Sequence, residues 1–171
     1  NWVVNCNVLL PSIKELISLA KSRPGQMNFG SSSVGGINHL AGELFNLLAG
    51  TNMVHVPYKG GAPALTDLMG GRLDFMFNGT TGSLPLVQSG KLRALAVTSA
   101  RRVGSLPDVP TLDESGFAGF QSSTWIGLAG PAKLPPAIVG KVNADTTRVL
   151  TSPDFQQRLK NDGSDSIGGP P

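Results

Sequence analysis

The sequence has few of the features that define several large classes of protein. It holds one cysteine, Cys6, among 171 residues, which excludes an intrachain disulfide framework and any paired-cysteine metal or redox motif. Aromatic residues make up 6% of the chain, and 14 basic side chains stand against 11 acidic ones. Proteins that bind nucleic acids cluster basic side chains and interleave them with aromatics, so no nucleic-acid partner is expected. No apolar run approaches the ~20 residues of a membrane span, so no membrane insertion is expected.

Glycine and proline are abundant instead, with 22 and 13 residues, and hydrophobic residues make up 40% of the chain. Short segments with strand periodicity alternate with segments whose apolar residues recur at helical spacing. Strands are predicted at 2–6, 27–30, 53–57, 73–77, 92–98 and 125–129. Helices are predicted at 12–22, 37–49, 62–69, 83–89, 136–150 and 152–160. This alternation predicts an α/β fold, with a mostly parallel sheet and helices on both of its faces.

Three loops follow predicted strands at the edge of the sheet where such folds bind ligands, namely 30–36, 57–61 and 78–83. They consist mainly of glycines and hydroxyl side chains, and their ionisable groups are the Lys59 amine and the Tyr58 phenol. Each loop leads into the N-terminus of a helix, where free N–H groups and the helix dipole favour an anion. The loops therefore predict a neutral site, rich in hydrogen-bond donors, for a carboxylate or phosphate.

The candidate ligand-binding residues lie on or beside these loops. They are Ser31, Ser32, Ser33, Gly35, His39, Tyr58, Asn78 and Thr80. A structural role is the alternative for several of them. The 31–36 turn can serve as a flexible link, and His39 as a structural histidine inside its helix. His55, which is not one of the candidates, is expected in the core or behind the residues that contact the ligand.

Several common catalytic and metal-binding motifs are not matched. The first loop has the glycine spacing of a nucleotide phosphate-binding loop, but Gly36 and Ile37 stand where lysine and a hydroxyl residue are needed. The histidines, His39 and His55, do not have metal-ligand spacing, so neither a metal nor a cofactor is predicted. The three loops contain no Asp or Glu for paired acid–base chemistry. Binding is therefore favoured over catalysis, and no catalytic residue is assigned.

Several longer motifs occur together along the chain. HLAGELF stands at 39–45, HVPYKG at 55–60, GKLRALAV at 90–97 and LPDVPT at 106–111. This combination resembles the Bug family, the TctC-like extracytoplasmic solute receptors of tripartite tricarboxylate transporters, over nearly the whole chain. The resemblance implies a periplasmic, non-enzymatic binding protein with two α/β lobes that close on a small carboxylate or dicarboxylate. It also implies the membrane components of the transporter as partners.

Carried over by position, Ser31, Ser32, Gly35 and His39 match the second-lobe binding loop of the family. Asn78 stands where many members of the family have aspartate. Asparagine lacks the negative charge of aspartate, so this difference is expected to favour anion binding.

The resemblance also implies a longer protein, in which part of the first lobe precedes Asn1 and a last helix follows Pro171. Residues 8–122 are then the ligand-binding second lobe, and residues 123–171 are a crossover segment that packs on the first lobe. We expect the present chain to bind its ligand weakly by itself. We also expect the apolar face with Ile138, Val139 and Val142 to dock on another copy.

Two other functions stand as alternatives. One is a small α/β enzyme that acts on a phosphorylated or acyl substrate through His39 or His55. The other is the effector domain of a transcriptional regulator, which needs a helix-turn-helix segment that this sequence does not contain.

Overall fold

A computed structural model describes residues 2–5, 10–162 and 164–170. The strands are β1 (Trp2–Asn5), β2 (Asn28–Ser31), β3 (Val54–Pro57), β4 (Phe75–Asn78) and β5 (Arg93–Val97). The helices are α1 (Ile13–Ser22), α2 (Ile37–Ala49), α3 (Gly61–Met69), α4 (Thr80–Gln88), α5 (Pro136–Leu150) and α6 (Pro153–Asp162). Every predicted helix has its counterpart. Cys6, predicted as the end of the first strand, lies outside the described residues.

The five strands form one sheet in the order β3-β2-β4-β1-β5. Strand β2 runs parallel to β3 on one side and to β4 on the other. Strand β1 is antiparallel to both of its neighbours, β4 and β5, so those two strands run in the same direction as β2 and β3. The predicted α/β fold with a mostly parallel sheet is confirmed, and the reversed direction of β1 is a feature that the sequence pattern did not indicate.

Helices cover both faces of this sheet because side chains along a strand alternate between the faces. On one face, Phe29 and Phe75 pack with their ring centroids 5.6 Å apart, in a buried cluster that includes residues of α1 and α2. On the other face, Met76 packs in a second buried cluster with residues of α3 and α4, including Leu68 and Leu84. The loops between strands and helices are thereby held at the edges of a rigid sheet.

Helix α2 does not bury the leucines that mark it in the sequence. Leu40, Leu44, Leu47 and Leu48 are exposed, Leu47 to 76%. The buried face instead carries small and polar residues together with Phe45. Gly42 belongs to it because a Cβ at this position would overlap the ring of Phe29. Asn46 belongs to it because its amide donates to the Met53 carbonyl at 2.9 Å and accepts from the Met53 N–H at 3.2 Å.

By its contacts, the chain divides into two compact units, Asn1–Thr124 and Trp125–Pro171. Strand β1 precedes residue 8, the predicted start of the ligand-binding lobe, yet it pairs inside the sheet of the first unit. Which lobe of a longer protein corresponds to residues 8–122 and 123–171 stays a prediction.

The second unit contains α5 and α6, and the predicted strand at 125–129 is wrong. These residues form no regular element, and Trp125 and Ile126 are exposed to 83% and 97%. A strand needs a neighbouring strand to receive its backbone hydrogen bonds, and the described residues pair none with this segment. Helix α5 buries no residue, with Ile138 and Val142 each 48% exposed. No helix in the described parts of either unit is long and apolar enough to cross a membrane.

Candidate ligand-binding site

Three helix N-termini meet at one edge of the sheet. Because β3, β2 and β4 are adjacent and parallel, the loops that follow them, and the starts of α3, α2 and α4, lie at the same edge. Two backbone hydrogen bonds join the first two loops, from the Tyr58 N–H to the Ser31 carbonyl and from the Gly60 N–H to the Ser32 carbonyl, both at 2.9 Å. The topology thus brings together the three loops that the sequence singled out.

Each of these helices begins at a glycine. The N-cap residues are Gly36 for α2, Gly60 for α3 and Gly79 for α4. None of the three receives a side-chain capping hydrogen bond among the described residues, and none of the helices has an acidic residue in its first turn. The first N–H groups of a helix need acceptors from outside the helix, and its dipole favours negative charge there. The three starts together therefore suit an anion with several acceptor oxygens.

The loop between β2 and α2, residues 31–36, is held by hydrogen bonds of its own. Ser31 is fully buried, and its hydroxyl donates to the Ser33 carbonyl at 2.9 Å. Gly35 has a left-handed backbone (φ 75°), and its N–H donates to Nδ1 of His39 at 3.0 Å. Ser32 is half-buried and Ser33 is exposed. Of the predicted contacts on this loop, the hydroxyls of Ser32 and Ser33 are thus the more accessible ones.

His55, on β3, stacks on His39 with ring centroids 3.8 Å apart, and its Nε2 lies 2.6 Å from Oγ of Ser31. The Ser31 hydroxyl gives its proton to a carbonyl, so this Oγ accepts from His55, which places the ring proton on Nε2. Burial lowers the pKa of His55 below its usual range and the neighbouring His39 lowers it further, while Glu43 opposes both. The imidazole of His55 is therefore held in its neutral form.

Tyr58 follows β3, and its hydroxyl donates to Oδ2 of Asp67 at 2.8 Å. Burial and then this hydrogen bond raise the pKa of the Tyr58 phenol. The same bond is the main reason why the pKa of Asp67 is lowered, and the Arg72 guanidinium acts in the same direction. The hydroxyl of Tyr58 is thus engaged inside the protein, while Lys59 beside it is exposed.

Asn78 ends β4 and is buried, and its Nδ2 donates to Oγ of Ser83 at 2.7 Å. A Cβ on Gly61 would lie 3.5 Å from Oδ1 of Asn78, and one on Gly82 would lie 3.5 Å from its Nδ2. The neutral amide of Asn78 therefore sits between the first turns of α3 and α4. Thr80, the first residue of α4, is half-buried at the same place.

Sequence reasoning did not single out Ser83, which is fully buried and holds the Asn78 amide. It placed His55 in the core or behind the residues that contact the ligand, without its link to Ser31. The position of Ser83 in the sequence does carry a signal for this contact. A hydroxyl four positions after the Gly79 N-cap lies one helical turn above the loop, within reach of the residue that ends the strand.

The alternative function, an enzyme that acts through His39 or His55, can be compared with the geometry around these two side chains. Ser31 and His55 have the separation of a nucleophile and its base, but Ser31 is fully buried and its proton is committed to the Ser33 carbonyl. Both ring nitrogens of His39 face protein groups, because Nδ1 accepts from Gly35 and Nε2 lies 3.6 Å from Oε1 of Glu43. The described residues contain no cluster of three or more metal-ligating side chains. The arrangement can hold an anion by hydrogen bonds without a reacting group.

A cleft of about 320 Å³ lies at the start of α1, away from these loops, and is lined by Ser12 and Glu114 among others. Ser12 already caps α1 by accepting from the Glu15 N–H. Glu114 already binds Arg102 at 2.9 Å and the Thr111 N–H at 2.8 Å. Ser12 and Glu114 thus have partners within the protein, unlike the first N–H groups of the three glycine-capped helices.

Comparison with known proteins identifies the family. The family described as the tripartite tricarboxylate transporter family receptor, TctC, matches residues 2–169. The chain belongs to this family. Protein BugT of Bordetella pertussis is 36% identical over 150 residues, which cover 88% of this chain and 46% of BugT. The resemblance to Bug and TctC-like receptors is thereby confirmed.

Solved structures agree with the fold. The R. palustris protein Rpa4515, solved with adipate, superposes with a TM-score of 0.94 at 34% identity, over 99% of this chain and 57% of that one. MatC from Rhodopseudomonas palustris, solved with bound malate, superposes with a TM-score of 0.85 at 31% identity, over 95% of this chain and 55% of that one. The present TctC-family chain spans about half the length of most of the curated relatives it matches.

Proposed function

We propose that this chain is the carboxylate-binding part of a periplasmic solute receptor that serves a tripartite transporter. The observation that carries the proposal is the meeting of three glycine-capped helix N-termini at one sheet edge. A carboxylate supplies the negative charge and the acceptor oxygens that these N–H groups need. Membership of the TctC family supports the same role.

The ligand that we propose is a small dicarboxylate, held without covalent chemistry. One carboxylate lies at the starts of α2, α3 and α4, with the hydroxyls of Ser32, Ser33 and Thr80 as further donors. The uncharged amide of Asn78 beside them adds no repulsion to a bound anion. Relatives solved with adipate and with malate support this ligand class, because both are four- to six-carbon dicarboxylates.

The rest of the site belongs to the part of the relatives that this chain does not cover. We propose that a second lobe of the whole receptor holds the far end of the dicarboxylate and excludes water. Desolvation strengthens hydrogen bonds to a charged group, so the 171-residue chain alone binds weakly. The membrane components of the transporter are the partners that we propose for the whole receptor.

Titration calorimetry of the 171-residue chain with malate and adipate tests the ligand class. We expect dissociation constants on the order of 1 mM, since one lobe makes part of the contacts. The matched control is dimethyl malate, which has the same skeleton without the charges and is expected not to bind. Equal binding of the diester, or the absence of binding by both acids, contradicts the proposal. A nanomolar affinity contradicts the requirement for a second lobe.

The apolar face of α5 stays a predicted surface for self-association. Ile138, Val142 and Val149 are each about half exposed on this helix. Light scattering over a range of protein concentrations tests it, with Val142→Lys as the variant expected to remain monomeric. A wild-type chain that stays monomeric at every concentration would contradict the prediction.

A further inference from the structure

Each of the two histidines of the first unit makes a hydrogen bond to one end of the β2–α2 loop, and the two rings stack on each other. We propose that His39 and His55, the histidine pair, position this loop and the first N–H groups of α2, and that neither ring contacts the ligand. The inference rests on the proposed function, since it concerns the same site. It differs from the role that the sequence predicted for His39, which was direct contact with the ligand.

The first connection lies at the end of the loop. The Gly35 N–H donates to Nδ1 of His39 at 3.0 Å, across a turn that needs the left-handed backbone of Gly35. This bond withdraws the Gly35 N–H from the donors that face the site. It also fixes the direction in which the chain enters α2, because His39 is itself the third residue of that helix.

The second connection lies at the start of the loop. Nε2 of His55 donates to Oγ of Ser31 at 2.6 Å, and the Ser31 hydroxyl in turn donates to the Ser33 carbonyl at 2.9 Å. Ser31 is fully buried, so this bond has no competition from water. His55 thereby fixes the first half of the loop in the way that His39 fixes the second half.

Stacking of the two rings links the hydrogen bond at the start of the loop to the one at its end. His55 lies against His39, with centroids 3.8 Å apart and planes at 28°, and against Phe29, with centroids 5.1 Å apart. Phe29 belongs to the buried core under α2. The Ser32 carbonyl also accepts from the N–H of Gly60, the N-cap of α3. The position of this loop therefore affects the start of α3 as well as the start of α2.

The hydrogen bond to Gly35 can be tested without a ligand. In a uniformly ¹⁵N-labelled wild-type chain we expect a scalar coupling between the Gly35 nitrogen and Nδ1 of His39. His39→Leu keeps the bulk of the side chain and removes the acceptor, so the Gly35 amide resonance is expected to move to the position of a free loop amide. His39→Asn places an amide oxygen near the position of Nδ1, and we expect it to restore most of the hydrogen-bonded shift.

Affinity for malate supplies the second readout. Loss of one hydrogen bond that orients the loop is expected to weaken malate binding by about fivefold in His39→Leu. His39→Asn is expected to bind within about twofold of wild type, because it keeps the acceptor. His55→Gln, whose amide nitrogen reaches the position of Nε2, is the corresponding rescue for His55→Leu. The matched control is Leu40→Asn, an exposed position in the same helix, with wild-type affinity.

The outcomes distinguish a failure of the histidine-pair proposal from a failure of the proposed function. A Gly35 resonance that is the same in His39→Leu and wild type overturns the proposal, as does a His39→Asn variant as weak as His39→Leu. A nuclear Overhauser effect between the His39 ring and bound malate overturns it too, since it means direct contact. If the wild-type chain binds no malate, the proposed function fails, while the Gly35 coupling still decides whether the pair positions the loop.

Discussion

Helix α1 and helix α2 begin in opposite ways. At α1, the Ser12 side chain accepts from the Glu15 N–H, and the acidic Glu15 lies in the first turn. At α2, as at α3 and α4, the N-cap is a glycine without a side-chain hydrogen bond, and the first turn has no acid. The start of α1 thus has a side-chain acceptor for one of its N–H groups and an acidic residue near its dipole. The starts of the other three helices have neither, so a ligand or water has to supply the acceptors and the negative charge.

The capped start of α1 stabilises its own helix, whereas the uncapped starts of α2, α3 and α4 give up that stabilisation at the proposed binding site. A capping residue stabilises a helix by about 1 kcal/mol, and three helices of the first unit do without it. Their stability comes from long-range packing instead, as the contact of Gly42 with the Phe29 ring shows for α2. The uncapped starts all lie at one edge of the sheet, where the proposed carboxylate takes the place of the caps.

The largest expected effect concerns that packing. Gly42→Ala forces a methyl group into the Phe29 ring, and we expect the first unit to lose about 2 kcal/mol of unfolding free energy. Urea denaturation followed by near-ultraviolet circular dichroism measures it. The matched control is Gly82→Ala in α4, where a Cβ makes ordinary contacts at 3.5 Å and 3.6 Å. Equal stabilities of the two variants would mean that packing does not hold α2.

The next effect concerns the uncapped starts. Gly79 has an extended backbone (φ −69°, ψ 153°) and open space where a Cβ would lie, so Gly79→Asp is sterically free to cap α4. The new carboxylate competes with the ligand, and we expect malate affinity to fall by at least about tenfold, or about 1.4 kcal/mol. Gly79→Asn, which has the same shape without the charge, is expected to lose less. Unchanged affinity in Gly79→Asp would remove α4 from the site.

A smaller effect is expected at the capped start. Ser12→Ala removes the acceptor of the Glu15 N–H and should lower the unfolding free energy by about 1 kcal/mol. Affinity for malate should remain that of wild type, because α1 does not begin at the proposed site. Thermal denaturation and calorimetry on the same sample measure the two quantities. A drop in affinity as large as that of Gly79→Asp would erase the distinction between the helix starts.

The smallest effect is a dependence on pH. His55 has a lowered pKa in the folded chain, so the unfolded chain binds its proton more readily. The stability linked to neutral His55 is therefore fully present above about pH 6.5 and is lost as the pH falls from there towards the lower folded pKa. His55→Gln keeps a donor for Ser31 and cannot titrate. Denaturation curves from about pH 7.5 to about pH 5 should show a weaker acid loss in this variant, and an identical loss would contradict the assignment.

Much of this fold could be predicted from periodicity and turn residues. The predicted helix at 12–22 is α1, capped by Ser12, and the predicted helix at 37–49 is α2, which ends before the left-handed Gly50. The loops at the sheet edge followed from the order of strands and helices alone, because parallel neighbours bring their carboxyl ends together.

Other features depend on contacts that a local pattern does not contain. The direction of β1 is set by its pairing with β4 and β5, which lie about seventy positions or more further along the chain. The buried face of α2 is decided by the space beside Phe29 and by the amide of Asn46, while hydrophobic spacing favoured Leu44 and Leu47. The role of His39 depends on a stacked partner from β3, so its type and position in the sequence indicated only that it lay near the site.

The uncapped helix starts are proposed to bind the carboxylate, and the capped start of α1 is not. An NMR titration of the ¹⁵N-labelled chain with malate tests this most directly. We predict that the amide resonances of 37–39, 61–62 and 80–82 shift together along one binding curve, while those of 13–15 stay in place. Shifts centred on the start of α1, or spread evenly over both sets of helices, would contradict the account.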